Sequence, residues 1–373
     1  MRHLLLPIIA GLALLLSASR CHAQVGAEFT SLEQQVAAHP DDLEAHRRLA
    51  QAYGASGFVE EASEQYLALL SREADDSDAK SALAALLKTR MPSWLPATVT
   101  QVRSFPVETA KLTLSALAPS GAATDRELLW TASCDAHEGE RADPLHHWSF
   151  SRIAYGYVWD PKARRWQMRV RAHHTEAAGI VQASLKTMLA LYAVVQANTG
   201  LDPTGSWKTP LDLWLAEKGN PGAHSAGRSL YLYSLHTPRA PEEWLRELAH
   251  EYGHTALPGL GGFTKTEDPW ADGELGELLF VRWLAAANLD WLPWSVKAAE
   301  DIAHPRRERL IAGAVGDPDP ARLRAGDKKA RDYFLGLALR VEATDGPRRL
   351  TELLTRCPRG TAPQFLAALQ RSR

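Results

Sequence analysis

The chain has 373 residues, with 42 Lys+Arg against 44 Asp+Glu and a formal net charge of −2. Near-neutrality excludes a polybasic binder of nucleic acid or membrane surfaces, which needs a concentrated positive face. Hydrophobic residues at 45% and charged residues at 23% exclude wholesale disorder and a multi-span membrane protein.

Met1-Arg2-His3, the apolar run from Leu4 to Leu16 and then Cys21-His22-Ala23 read as a secretory signal over 1–23, cleaved before Gln24. The run is short for a bilayer span. A signal-anchor is the rival reading. Cys21 raises a lipoprotein reading, against which Arg20 stands, because lipid-modified cysteines usually follow a small residue. On the first reading the mature chain is secreted or periplasmic, touches no membrane, and has the length of roughly two domains. Cys134 and Cys357 remain, and an oxidising compartment permits either a bond between them or two free, buried thiols.

From Phe29 to about Leu87 the composition is helical, rich in Ala, Leu and Glu. Leu49, Tyr53, Gly57, Ala62, Tyr66 and Leu69, following Pro40, have spacings that resemble a tetratricopeptide unit, in which two antiparallel helices pack small residues against aromatics. One unit flanked by half-units cannot bury its face alone. Region 24–90 is therefore read as a helical cap that stacks on its flanks or on the next domain, or else as a groove for a protein partner.

Region 91–165 is β-leaning after a linker with Met91-Pro92 and Leu95-Pro96. Alternating segments at Leu112–Leu117, Leu128–Ser133, Trp148–Trp159 and Trp166–Ala172 predict strands, the last two joined by Asp160-Pro161-Lys162-Ala163. Residues 118–125 and 136–144 read as loops. An amphipathic helix is predicted from Glu176 to about Asn198, stopped by Gly200 and Pro203. Two strands, Leu211–Ala216 and Ser229–Leu235, follow with a loop between them.

The next helix opens at Pro241, with Glu242 and Glu243 at the positive end of its dipole and Trp244, Leu245, Leu248 and Tyr252 on its apolar side. It carries His250-Glu251-Tyr252-Gly253-His254, an H-E-x-x-H motif. Residues four apart lie about 40° apart around a helix and about 6 Å along it, so both imidazoles can reach one ion. Two histidines hold zinc poorly. A third protein ligand is needed, with the fourth position left to water in a catalytic site.

After a turn-rich stretch from Pro258 to Pro269, Trp270-Ala271-Asp272-Gly273-Glu274-Leu275-Gly276-Glu277 opens another helix. Glu274 stands 20 residues beyond His254. Here the sequence resembles the gluzincin zinc metallopeptidases, the thermolysin-like and M1-aminopeptidase-like group, and within it the secreted bacterial peptidase MA-like domains. The resemblance covers 166–373. It implies Zn2+ held by His250, His254 and Glu274, with Glu277 the rival third ligand. Whichever glutamate does not bind would hydrogen-bond a ligating histidine. The thermolysin-like aspartate four positions after the ligand is absent, because Leu278 stands there.

The resemblance further implies Glu251 as general base and an oxyanion donor from the later helices, for which Tyr333 in Asp332-Tyr333-Phe334-Leu335-Gly336 is the candidate. His304 is a weaker one, since His304-Pro305 reads as a turn leading into a helix. It also implies that Ser229–Leu235 is the edge strand on which an extended peptide or protein substrate would lie. His146-His147 and His173-His174 tempt as ligands, but neighbours on a strand point to opposite faces. Trp148, Trp159 and Trp166 read as core, and Gly259, Gly261 and Gly262 as the rim of a cleft.

The expected architecture is α+β: a tetratricopeptide-like hairpin, a β-rich connector, and a gluzincin-like domain whose mixed half ends in the motif helix and whose helical half supplies Glu274. The expected function is an exported zinc peptidase that binds no nucleic acid. The alternative is an interaction protein working through its helical cap, with a structural or degenerate metal site.

Overall fold

The computed structural model describes residues 29–89 except 30, 37, 40, 57 and 74, and then 101–103, 108–118, 127–160, 165–175, 178–201, 211–257, 271–316, 319–324, 328–356 and 362–371. The signal segment, the linker prolines, the turn at 161–163, the glycines at 259–262 and Cys357 lie outside these residues. The Cys134–Cys357 pairing and the side chains of Trp159 and Trp166 lie outside them too. The chain divides into two units, Met1–Ser93 and Trp94–Arg373.

The first unit contains helices α1 (Leu43–Ser56), α2 (Val59–Arg72) and α3 (Ser77–Thr89), preceded by helical residues at 31–36. The small Ala45 and Ala62 allow close approach around Leu49 and Tyr53, with Leu32 and Val36 closing the cluster. His46 and Gln65 hydrogen-bond between α1 and α2 at 2.8 Å. Asp76 caps α3 by accepting the Ala79 N–H at 2.8 Å and takes Arg47 of α1 at the same distance. Burial opposes its ionisation, but these donors hold its carboxyl below the ordinary range.

The second unit is built on an eight-stranded mixed sheet of β1 (Gln101–Arg103), β2 (Glu108–Thr113), β3 (Glu127–Ala142), β4 (Ser149–Asp160), β5 (Arg165–His174), β6 (Leu211–Leu215), β7 (Gly222–Ala226) and β8 (Ser229–Tyr233). Its order is β1-β3-β4-β5-β6-β8-β7, with β2 also on β3. Pairing is antiparallel from β1 to β5, parallel across β5, β6 and β8, and antiparallel again at β7. The β-leaning connector thus shares one sheet with the strands that lead to the motif helix.

Several expectations are corrected. Residues 136–142 are strand, because β3 continues beyond register shifts at Ala132/Asp135 and His137/Arg141 that interrupt the alternation. Leu114–Leu117 is a helical turn, α4, since Leu114 and Leu117 are both buried at a spacing of three. The segment between β6 and β8 holds β7, whose Gly-Ala-His-Ser-Ala sequence carries no apolar alternation. His146 and His147 lie in the turn after β3 rather than on a strand.

Helix α5 (Ala178–Thr199) crosses between β5 and β6. It is long and apolar enough for a membrane span, yet every side chain from Thr187 to Thr199 is buried against strands and helices. It is therefore a core helix rather than an amphipathic one. Leu213 and Leu215 of β6 with Leu230 and Leu232 of β8 face this helical side, while Trp214 and Tyr231 face the other with Phe150 and the half-buried Trp148.

Helix α6 (Pro241–Ala256) carries the motif and α7 (Ala271–Ala287) the two glutamates. Then come α8 (Val296–Gly313), α9 (Pro320–Arg324), α10 (Lys328–Asp345), α11 (Pro347–Thr355) and α12 (Ala362–Gln370). His304 and Pro305 lie inside α8, contrary to the expected turn. Proline there removes a hydrogen bond to the carbonyl four residues back, and that residue, Asp301, is exposed to water.

Candidate metal centre

Proline at the first position and two acidic residues in the first turn start α6 as the sequence dictates. Trp244, Leu245, Leu248 and Tyr252 are buried, so the rest of the helix surface presents His250, His254 and Glu251 together. The two imidazoles lie 5.1 Å apart between centroids.

Glycines set how closely α6 and α7 approach. A Cβ on Gly253 would stand 2.6 Å from the Asp272 carbonyl oxygen and 3.0 Å from Gly276 Cα. A Cβ on Gly273 would stand 2.5 Å from His254 Nε2 and 2.6 Å from His250 Nε2. Both Nε2 atoms therefore converge over the bare backbone of Gly273.

The opposite nitrogens face carboxylates. His254 Nδ1 lies 2.9 Å from Asp272 Oδ1, and His250 Nδ1 lies 3.8 Å from Glu277 Oε2. At His254 the carboxylate on Nδ1 fixes the proton there and leaves Nε2 with its lone pair forward, the state a metal ligand needs, while at His250 the carboxylate stands near Nδ1 beyond hydrogen-bond distance. Glu277 is also held by Arg246 Nε at 2.8 Å. Burial opposes its ionisation, but His250 and Arg246 keep its carboxyl below the ordinary range.

Glu274 is buried one residue along from the glycine that the rings face. Its Oε1 accepts from Arg306 Nη2 of α8 at 2.5 Å, and Arg331 Nη2 of α10 lies 3.5 Å away. Its Oε2 is buried and has no hydrogen-bond partner among the described residues. Among the described residues, no group of three His, Cys, Asp or Glu side chains stands close enough to hold a metal. Two imidazoles and a carboxylate with an unsatisfied oxygen are donor types that zinc takes, but the position both rings face is glycine, and Glu274 stands one residue along with arginines on its other oxygen.

Glu251 is buried beside the imidazoles and accepts a hydrogen bond from Ser225 of β7. Burial pushes its carboxyl up, against the pull of His250, His254 and Ser225. The strand at the sheet edge is thus β7, and the expected edge strand at Ser229–Leu235 is interior, between β6 and β7. Tyr333 is brought elsewhere: its hydroxyl accepts the Asp319 N–H at 2.8 Å and Arg322 covers its ring at 3.7 Å. His304 is exposed among Glu300, Arg307 and Glu308. His173 turns to Asp212, at 2.8 Å, on the far face of the sheet.

Sequence reasoning missed Gly273, Asp272, Ser225 and Arg306. The spacing of Gly273 and Gly276 opposite Gly253 was a legible sign of close helix contact; the other three depend on contacts between distant segments. Comparison with curated proteins returned no match, and comparison with solved structures returned none. The family model of the tetratricopeptide repeat matches residues 22–92, so the N-terminal unit carries a tetratricopeptide-like segment, compatible with a role in protein interaction.

Proposed function

We propose that the chain is an exported zinc-dependent peptidase of gluzincin type, with His250, His254 and Glu274 as the residues that would hold zinc. The observation that carries this reading is the convergence of two Nε2 atoms whose Nδ1 partners are carboxylates, beside a buried glutamate. Zinc bound there would lower the pKa of water and polarise a peptide carbonyl. Glu251, buried beside the imidazoles, takes the proton from the attacking water and delivers it to the leaving amine. Asp272 and Glu277 orient the imidazoles. The outer edge of β7, which pairs with no further strand among the described residues, offers backbone groups to an extended substrate.

One observation favours a second reading. The arginines on Glu274, with glycine at the position that both imidazoles face, suit a degenerate site in a tetratricopeptide-type interaction protein. The test is zinc content together with cleavage of an unfolded protein substrate, comparing the intact chain with Glu251→Gln. Zinc with activity lost in the variant is the expected result. Zinc-loaded chain without cleavage of a broad panel, or equal cleavage by the variant, overturns it.

A further inference from the structure

A cavity of about 390 Å³ opens beside the motif, between β7, the outer face of α6, Glu277 of α7 and Ile302 of α8. That volume falls in the range of small-ligand pockets, and His250 and Glu251 form part of its wall.

We propose that this cavity receives a lysine or arginine side chain of the substrate next to the scissile bond, so that the enzyme selects basic peptides; the inference rests on the peptidase reading. Its wall carries four carboxylates, Glu243, Glu247, Glu251 and Glu277, against two guanidiniums. Both guanidiniums are engaged. Arg239 donates Nε to Glu243 at 2.9 Å and Nη1 to Glu247 at 2.9 Å, with Nη2 on the second oxygen of Glu247. Arg246 is bound to Glu277.

One guanidinium thus answers two glutamates, so the Arg239–Glu243–Glu247 group keeps one surplus negative charge, and Glu243 stands at its rim with its side chain 44% exposed. Ala223 and Ile302, the latter an exposed large apolar side chain, offer a wall for an aliphatic stem. An apolar wall with a carboxylate at the rim matches the amphipathic form of lysine and arginine. An acidic side chain would meet repulsion from Glu243 and Glu247, and a neutral one would leave that charge unanswered.

The test uses the full-length, zinc-supplied chain with end-blocked peptides of one Ala/Ser background holding a single Lys, Arg, Met or Glu. Binding is read by fluorescence anisotropy and cleavage position by mass spectrometry. Lys and Arg peptides are expected to bind about fivefold to tenfold more tightly than Met, with Glu weakest and the preference reduced by salt. Glu243→Gln lowers the Lys-to-Met ratio; this rim substitution leaves the Glu247–Arg239 pair in place, and circular dichroism reports its fold. Basic preference in binding without cleavage upholds the pocket and removes the peptidase reading. Cleavage with equal binding of Lys and Met peptides, or binding of neither, overturns the pocket.

Discussion

Gly273 separates a structural role from a role at the site. In a helix interior Ala is favoured over Gly by about 1 kcal/mol, so a position of purely structural interest would gain from that substitution. The atoms a Cβ meets at Gly273 are the far ends of His250 and His254, which can swing away. Gly273→Ala is expected to leave the melting temperature unchanged or higher while zinc affinity falls about tenfold or more, since the imidazoles no longer converge. Zinc affinity equal to the parent, measured by competition with a chelator, contradicts the geometry. The histidines themselves were legible because a spacing of four on one helix is a local property. The partners of Glu274 were not, because Arg306 and Arg331 come from helices 32 and more residues away whose packing no local pattern encodes.

Between elements, backbone contact replaces side-chain contact. A Cβ on Gly276 would meet Gly253 Cα at 2.5 Å, so α6 and α7 must separate to admit it. Gly276→Ala is expected to cost about 1–3 kcal/mol despite the gain in helix propensity, read by chemical denaturation. Unchanged stability contradicts the close packing. The motif helix, with proline at its start and apolar side chains at intervals of three and four, could be read in advance. Strand β7 could not, because a five-residue strand of small and polar residues is defined by its pairing with β8 rather than by its own pattern.

The far face of the sheet offers a pH test. Asp212 of β6 accepts Arg171 Nε at 2.7 Å and Nη2 at 2.8 Å, together with His173. Burial opposes its ionisation, but His173 and Arg171 prevail and hold its carboxyl below the ordinary value of 3.8. A depressed carboxyl contributes stability that is present above the unfolded value and lost as pH falls through the folded one. Asp212→Asn leaves the buried Arg171 without its counter-charge, at an expected cost of about 3–5 kcal/mol near neutral pH. The gap between variant and parent closes below pH 3.8, in urea denaturation followed across pH. A gap that persists undiminished to the lowest pH contradicts the assignment.

At the scale of the whole molecule, the two units carry separate chemistry: tetratricopeptide-like helices over one, and a sheet with the histidine pair over the other. The first unit ends at Ser93, within the stretch where helical Ala, Leu and Glu give way to proline. That the strands of 101–160 continue into the sheet behind the motif was not visible, because strand order depends on pairing over long separations. On the proposed function, His250, His254 and Glu274 together bind one zinc ion. Calorimetric titration of zinc into the metal-free chain tests it most directly. One zinc per chain is expected, with affinity lowered by more than about a hundredfold in His254→Ala and in Glu274→Gln alike. A parent chain that takes up no zinc, or a Glu274→Gln variant that binds it as tightly as the parent, would contradict it.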